Sequence, residues 1–247
     1  MSWNRTLREH LWKPSKRHLE YIRSLPWSHT PNGLDYNIRK NGDSLFLVFS
    51  ETYGTGAKAR ADDWAANLDF FPAPFDIFPG SKIQAHDGIA RQYLDARQTI
   101  MDHLYSGSIK HIFVAGYSQG GAVTTAAVQD IGFHIDRDGL DVSVYGISYN
   151  GPRFFGTRKS RLIKKNVKNR LLTIKGHWDP VGHVPLKAMP TFFSFRWRPF
   201  RLILCLPRLT LWRDYGQVAW IGKLWKLWPL QHLPEQVYAN LLEKYGV

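Results

Sequence analysis

Three residues of this chain have the types that acyl-transfer chemistry needs, in an order that could serve it: Ser118, Asp179 and His232. Ser118 sits in Gly116-Tyr117-Ser118-Gln119-Gly120, behind the apolar run Ile112 to Ala115 and ahead of Gly121, Ala122 and Val123. A serine becomes a nucleophile when a turn lifts its hydroxyl off a sheet edge and a nearby base can take its proton. That turn passes from strand to helix so sharply that the positions two before and two after the serine must be nearly free of side chain, and Gly116 and Gly120 meet the demand. The first amides of the new helix, starting with Gln119, then face the oxygen that gains negative charge. A bare G-x-S-x-G is common, so its flanks matter. A β-branched and aromatic run precedes it, no proline interrupts the residues that follow, and Gly132 reads as the helix stop.

The serine's base needs an acid to hold it, and hydrolases built on such an elbow carry the three in the order nucleophile, acid, histidine. Asp179 follows the strand-like run Leu171 to Ile174, in Gly176-His177-Trp178-Asp179-Pro180-Val181, where a turn at the sheet's C-terminal edge presents a carboxylate. His232 opens the final helix, whose Val237, Tyr238, Leu241, Leu242 and Tyr245 would pin it against the sheet. Each has a plainer reading: Asp before Pro is commonly a turn residue, and a helix-start His a surface residue. His183 is the alternative base, but four residues past its own acid it has little chain with which to arch over Ser118. His86 reads as a residue that orients a neighbouring loop. His177, Asp179 and His183 are close in sequence, yet no Cys or Glu completes a zinc set, so neither a metal nor a cofactor is expected.

The elements that must position these residues are legible as an alternation. Leu34 to Arg39 and Ser44 to Ser50 flank Asn41-Gly42-Asp43, a hairpin signal, and Leu45 to Phe49 is continuous and apolar as a central strand would be. A loop from Glu51 to Asp63 follows at that strand's C-terminal end, where open α/β sheets bind ligands. Phe70 to Pro79, dense in aromatics and prolines, either packs on the core or lines a pocket. Ile89, Tyr93, Ile100 and Leu104 recur at helical spacing within Asp87 to Tyr105. Val142 to Ile147 is the next strand, Arg158 to Lys168 a basic helix or loop, and Leu171 to Lys175 a further strand, while Pro14 to Leu25 reads as a basic docking helix. Strands alternating with helices predict an α/β fold with a mostly parallel central sheet flanked by helices.

With 247 residues, 44% of them hydrophobic, and no linker-like stretch, the chain is expected to form one domain over residues 1–247. Its 33 Lys and Arg against 20 Asp and Glu give +13, a field that attracts anionic surfaces. Nucleic acid is not the expected partner, because no recognised reading module is present. The lone Cys205 leaves no internal disulfide. Neither a signal peptide nor a membrane span is read, since the basic start lacks an apolar core and Leu202 to Leu206 is far short of the roughly twenty residues needed. The expected location is therefore cytoplasmic or peripheral to a membrane. Between Asp179 and His232, tryptophans such as Trp212, Trp220 and Trp225 alternate with Arg208, Arg213 and Lys226. Two readings stay open: a surface that contacts anionic membrane, or core aromatics beside solvated cations.

Six blocks in order resemble the class 3 lipases, the family that includes fungal triacylglycerol lipases. Leu47-Val48-Phe49-Ser50-Glu51-Thr52 resembles the family's strand ending in Phe-Arg-Gly-Ser/Thr, and Asp63 to Phe70 its D-W-x-x-[ND]-L-x-F block. His86-Asp87-Gly88 resembles H-x-G-F, and Tyr145-Gly146 with Gly151-Pro152-Arg153 resembles F-G-x-P-R. Trp178-Asp179-Pro180-Val181 resembles N-D-x-V-P, and His232 with Tyr238 falls where the closing histidine lies. The resemblance implies an α/β-hydrolase that cleaves carboxylic esters, most of all of lipids. Ser118 would be its nucleophile, Asp179 the acid and His232 the base, with the Gln119 amide and Thr52 forming the oxyanion hole. The family's Arg-Gly is Ser50-Glu51 here, and a carboxylate beside that site opposes the developing charge unless Glu51 turns away or is paired. Gly-Tyr-Ser-Gln-Gly resembles the cutinase elbow, but cutinases resemble the chain nowhere else and depend on disulfides it cannot form. The alternatives are a soluble esterase or acyltransferase on a smaller substrate, and a catalytically silent scaffold that binds lipid surfaces.

Overall fold

In the computed structural model the residues described are 25–50, 72–75, 77, 83–156, 160–177, 179–185, 188–190 and 209–221. Among the described residues the elements begin with β1 (Ser28–His29), β2 (Asp35–Asn41) and β3 (Ser44–Phe49), then β4 (Pro72–Pro74) and β5 (Gln84–His86). Helix α1 (Asp87–Leu104), β6 (His111–Tyr117), α2 (Gln119–Asp138) and β7 (Ser143–Tyr149) follow. Next come β8 (Phe155–Gly156), α3 (Ser160–Val167), β9 (Leu171–Gly176), the single turn α4 (Pro180–His183), β10 (Ala188–Pro190), β11 (Leu209–Arg213) and β12 (Gln217–Ile221).

Among the described residues seven strands form the main sheet, in the order β1-β2-β3-β6-β7-β9-β12. From β3 to β12 every neighbouring pair is parallel, and only β1 and β2 run against their neighbours. The apolar run Leu45 to Phe49 is therefore an interior strand, as its continuous hydrophobicity requires. The hairpin before it closes with Asn41 still paired to Ser44, so the turn is Gly42-Asp43 and the positive φ, 61°, falls on Gly42. The hairpin thus turns within Asn41-Gly42-Asp43, where the sequence places it, with Asn41 the last residue of β2.

The two faces of the sheet carry separate apolar clusters. Leu45, Leu47, Val114, Val123, Ala126 and Ile131 belong to the cluster shared with α1 and α2, while Val48, Ala115, Tyr117, Ile147, Tyr149 and Ile174 belong to the other. In α1 the predicted stripe Ile89, Tyr93, Ile100 and Leu104 is wholly buried. Gly132 does not end α2. The helix runs on to Asp138 and stops at Gly139, left-handed at φ 63°. Gly132 lies inside it, where a Cβ would come within 2.8 Å of the Asn166 carbonyl oxygen, so the residue is small because α3 packs there.

A second sheet, in the order β10-β11-β8-β5-β4, was not foreseen, because strands of two to five residues are too short to display alternation. It decides the fate of the aromatic and proline-rich stretch. Phe75 is fully buried against Tyr93, Phe154 and Phe155, with ring centroids 5.2 to 5.9 Å apart, so the stretch packs on the core at Phe75, while residues 70, 71, 76, 78 and 79 lie outside the described residues. The N-terminal basic helix through residue 24, the loop from Glu51 to Asp63, and Cys205 lie outside the described residues. Among the described residues no helix is long and apolar enough to cross a membrane.

Candidate active site

Strand β6 delivers Ser118 to the sheet's C-terminal edge and α2 leaves from it at once. Ser118 has φ 53° and ψ −121°, a conformation natural to glycine and costly for any L side chain. Its amide donates to the Tyr149 carbonyl of β7 at 2.9 Å, and its carbonyl accepts from Gly121 at 2.9 Å, so the turn is pinned from both sides. A Cβ on Gly116 would collide with the Gly120 carbonyl, and one on Gly120 would collide with the carbonyls of Phe49 and Ser50. Backbone cannot yield as a flexible side chain can, so both glycines are obligatory. Serine at a helix N-cap usually accepts a hydrogen bond from the helix, but the Ser118 hydroxyl makes no such capping bond. Gln119 is the first helical residue, with its side chain buried.

Asp179 is fully buried three residues past the end of β9. Its Oδ1 accepts from the Val181 amide at 2.9 Å and caps α4, with Pro180 at the first helical position, where a missing N–H costs nothing. The turn role expected of Asp-Pro is thus real, and it holds a buried carboxylate at the same sheet edge as the serine. The order β6-β7-β9 leaves one strand between them. Two strand spacings amount to about 10 Å, a separation that the serine and aspartate side chains span when one imidazole is hydrogen-bonded between them.

Two residues not singled out for chemistry fix the loop after Asp179. Arg153, 2% exposed, donates through Nη1 to the Pro185 carbonyl at 3.0 Å and also to that of His183. Lys175, 1% exposed, donates to the Gly182 carbonyl at 2.5 Å. Both cations meet Asp214, in the turn between β11 and β12: Arg153 Nε lies 3.2 Å from Oδ2, and Lys175 pairs with Oδ1. Burial pushes the Lys175 ammonium below the ordinary lysine range, while Asp214 and, more weakly, Asp179 favour its charged form. A lysine closing the apolar run Leu171 to Ile174 was the available sequence signal, since an unpaired ammonium is not tolerated in such a strand. Arg153 lay within the Gly-Pro-Arg block. Nothing in sequence pointed to Asp214.

Two of the candidate histidines have structural work. His86 caps α1, its Nδ1 3.5 Å from the Ile89 amide, and is fully buried. His183 donates from Nε2 to the His177 carbonyl at 3.0 Å, faces Arg153 with Nδ1 at 3.5 Å, and stacks on Trp220 with centroids 5.3 Å apart. Both of its nitrogens are directed at the fold. Trp212 is buried edge-on to His86, so it belongs to the core. His232, Thr52 and the neighbouring Glu51 lie outside the described residues.

The model of the family described as Lipase (class 3) matches residues 54–189, more than half of the chain. The chain belongs to the class 3 lipase family. No curated sequence matches it. Among solved structures, a Rhizomucor miehei lipase propeptide complex is similar with TM-score 0.53 at 16% identity, covering 81% of this chain and 55% of that one. A triacylglycerol lipase from Penicillium expansum gives TM-score 0.50 at 12% identity, covering 79% of this chain and 68% of that one. The MDLA mutant of Penicillium cyclopium gives 0.47 at 20% identity, covering 64% and 56%. The chain thus spans a little over half the length of the first of these structures. At such identities the likeness is one of fold, and the fold of this class 3 lipase family member is that of the α/β-hydrolases.

Proposed function

We propose that this chain is a serine hydrolase of carboxylic esters, with lipid esters as its substrate class. The observation that carries the reading is Ser118 itself. A residue held at φ 53° and ψ −121° and walled in by two glycines is a strained arrangement at the sheet edge where open α/β folds bind ligands. Membership of the class 3 lipase family supports lipid esters over other acyl compounds.

In the proposed mechanism His232 takes the Ser118 proton as Oγ attacks the ester carbonyl. The Gln119 amide, with Thr52, receives the oxyanion of the tetrahedral intermediate. Collapse expels the alcohol, protonated by His232, and leaves an acyl-serine. Water, deprotonated by His232, then attacks that ester and releases the carboxylic acid, while Asp179 holds the imidazole in the orientation both steps need. The charge of +13 supports a peripheral contact with anionic lipid, which sedimentation with anionic and neutral vesicles at low and high salt would test.

The experiment for the chemistry is labelling with a fluorophosphonate, followed by hydrolysis of an ester series from short soluble chains to dispersed long-chain glycerides and phospholipids. Labelling at Ser118, its loss in Ser118→Ala, and a rate that rises on dispersed long chains are expected. A rate confined to short soluble esters would give a soluble esterase instead, and an unlabelled, inactive chain would leave a silent scaffold.

A further inference from the structure

The Gln119 backbone amide is the proposed oxyanion donor, and its side chain is buried where α2 meets α1. There Nε2 donates to Oε1 of Gln92 at 2.7 Å. Gln92 is fully buried in the middle of α1, and its own Nε2 donates to the Asn32 carbonyl at 3.0 Å. Asn32 is fastened in turn, its backbone amide and Nδ2 reaching Asp95 Oδ2 at 3.1 and 2.8 Å. A line of hydrogen bonds therefore runs from the surface turn between β1 and β2, through α1, to the residue after the nucleophile.

Two buried carboxamides are a costly choice between α1 and α2, whose residues Ile89, Tyr93 and Val123 belong to the apolar cluster. An apolar pair of the same volume would be close to neutral for stability. The amide pair differs from it in direction. Apolar packing lets a residue turn by tenths of an ångström at little cost, whereas a hydrogen bond weakens steeply when bent. Oxyanion stabilisation is exacting in the same coordinate, because the donor must lie about 2.7 to 3.1 Å from the developing charge.

We infer that Gln92 is a positioning residue for ester hydrolysis: by accepting from the Gln119 side chain it fixes the first turn of α2 so that the Gln119 amide points at the oxyanion. The inference rests on the reading of Gln119 as an oxyanion donor. It separates the effect of a substitution on rate from its effect on stability. Gln92→Leu removes the acceptor and leaves the buried Gln119 Nε2 unmatched, but it buries no charge. Gln92→Glu keeps an acceptor oxygen for Gln119 while burying a carboxyl, the less stable choice.

The test measures kcat, KM and Tm for the full chain and both variants on one soluble p-nitrophenyl ester. Gln92→Leu should lose about tenfold in kcat, part of the hundredfold or more that deleting a donor costs, with KM within about twofold. Gln92→Glu should recover most of that rate although its Tm is the lower of the two. Rates that follow Tm, with Leu above Glu, overturn the inference, as does Gln92→Leu within twofold of wild type in kcat. If Gln92→Glu does not fold, Gln92→Leu decides by the same twofold limit. A wild-type chain that neither turns over nor labels at Ser118 removes the ester-hydrolase reading and this inference together, whereas an active wild type with an equally active Gln92→Leu removes this inference alone.

Discussion

The amide of Gly176 donates to Oδ1 of Asn150 at 2.8 Å, and this bond helps to join the strand end that fixes Ser118 to the strand end that precedes Asp179. Asn150 follows Tyr149, whose carbonyl accepts from the Ser118 amide, and its own amide donates to the Ile174 carbonyl at 2.8 Å. Gly176 closes β9, and its carbonyl accepts from the Asp179 amide at 3.4 Å. Ser118 and Asp179 are thus linked through backbone and the one buried carboxamide of Asn150.

Asn150 has φ 47°, a left-handed conformation that asparagine tolerates better than alanine. Asn150→Ala should therefore lose two things at once, the bond to a buried N–H and a tolerable φ, for about 2 to 4 kcal/mol in all. Asn150→Gly loses only the bond and should be about 1 kcal/mol less damaging. Urea unfolding of the two variants beside wild type checks the order, and Ala at or above Gly in stability would contradict it.

Ser118 gives the opposite case, a position where stability and reactivity conflict. Its φ and ψ match the first central position of a type II′ turn, which is glycine's. Ser118→Gly and Ser118→Ala both remove the hydroxyl, so their difference isolates the backbone. The glycine variant should be more stable by about 1 kcal/mol after its greater freedom in the unfolded chain is set against the strain, a few degrees in Tm for a chain of this size. Both variants should be inactive on esters and unlabelled by fluorophosphonate.

What could be read from sequence and what could not divide along a physical line. Periodicity and glycine spacing are local, so α1, the elbow, and the strands β3, β7 and β9 appear where the pattern places them. Asp179 is equally local, since Asp-Pro after an apolar strand fixes both the turn and the cap. The α2 stop failed because two glycines compete: Gly132 is small for the sake of α3, Gly139 for the sake of φ, and only a tertiary neighbour tells them apart. Asp214 and Gln92 were out of reach for the same reason. Each matters through partners on other elements, Arg153 and Lys175 for one and Gln119 for the other. Gln92 at least stood three residues from Ile89 on the inward stripe of α1, where a polar residue is a signal of a buried partner.

The packing of α3 on α2 carries its own pH dependence. Arg170 grips Asp136 with both terminal nitrogens, at 2.6 and 3.0 Å, and also donates to the Gly132 and Asn166 carbonyls at 3.1 Å. The hydrogen bond from Arg170 holds the Asp136 carboxyl below its ordinary value. A depressed pKa stabilises the fold above the unfolded value, about 4, and that contribution disappears as pH falls through the folded one. Wild type should exceed Asp136→Asn by up to about 1 kcal/mol near neutral pH, the scale of a solvent-screened pair. The gap should close below about pH 4, and chemical denaturation at pH 7 and pH 3 would show it. A gap that widens in acid would mean the sign is wrong.

The identity of the base is settled most directly by comparing histidines. Both His183 nitrogens are turned toward the fold, one to the His177 carbonyl and one to Arg153, while its ring lies on Trp220. A base must exchange its proton with Ser118 and the leaving alcohol, and a ring held in that way is poorly placed to do so. His183→Gln should therefore lower Tm, through lost stacking and a disturbed Arg153, yet leave kcat on a soluble ester within a few-fold of wild type. His86→Gln removes the cap of α1 and should cost about 1 kcal/mol, again with turnover kept. His232→Gln should behave in the reverse way, losing several orders of magnitude in kcat with little change in Tm, as loss of a triad member does. If His232→Gln stays near wild type while His183→Gln collapses, Arg153 and His177 become parts of a relay, and the assignment of Asp179 as the partner of a distant histidine falls with His232.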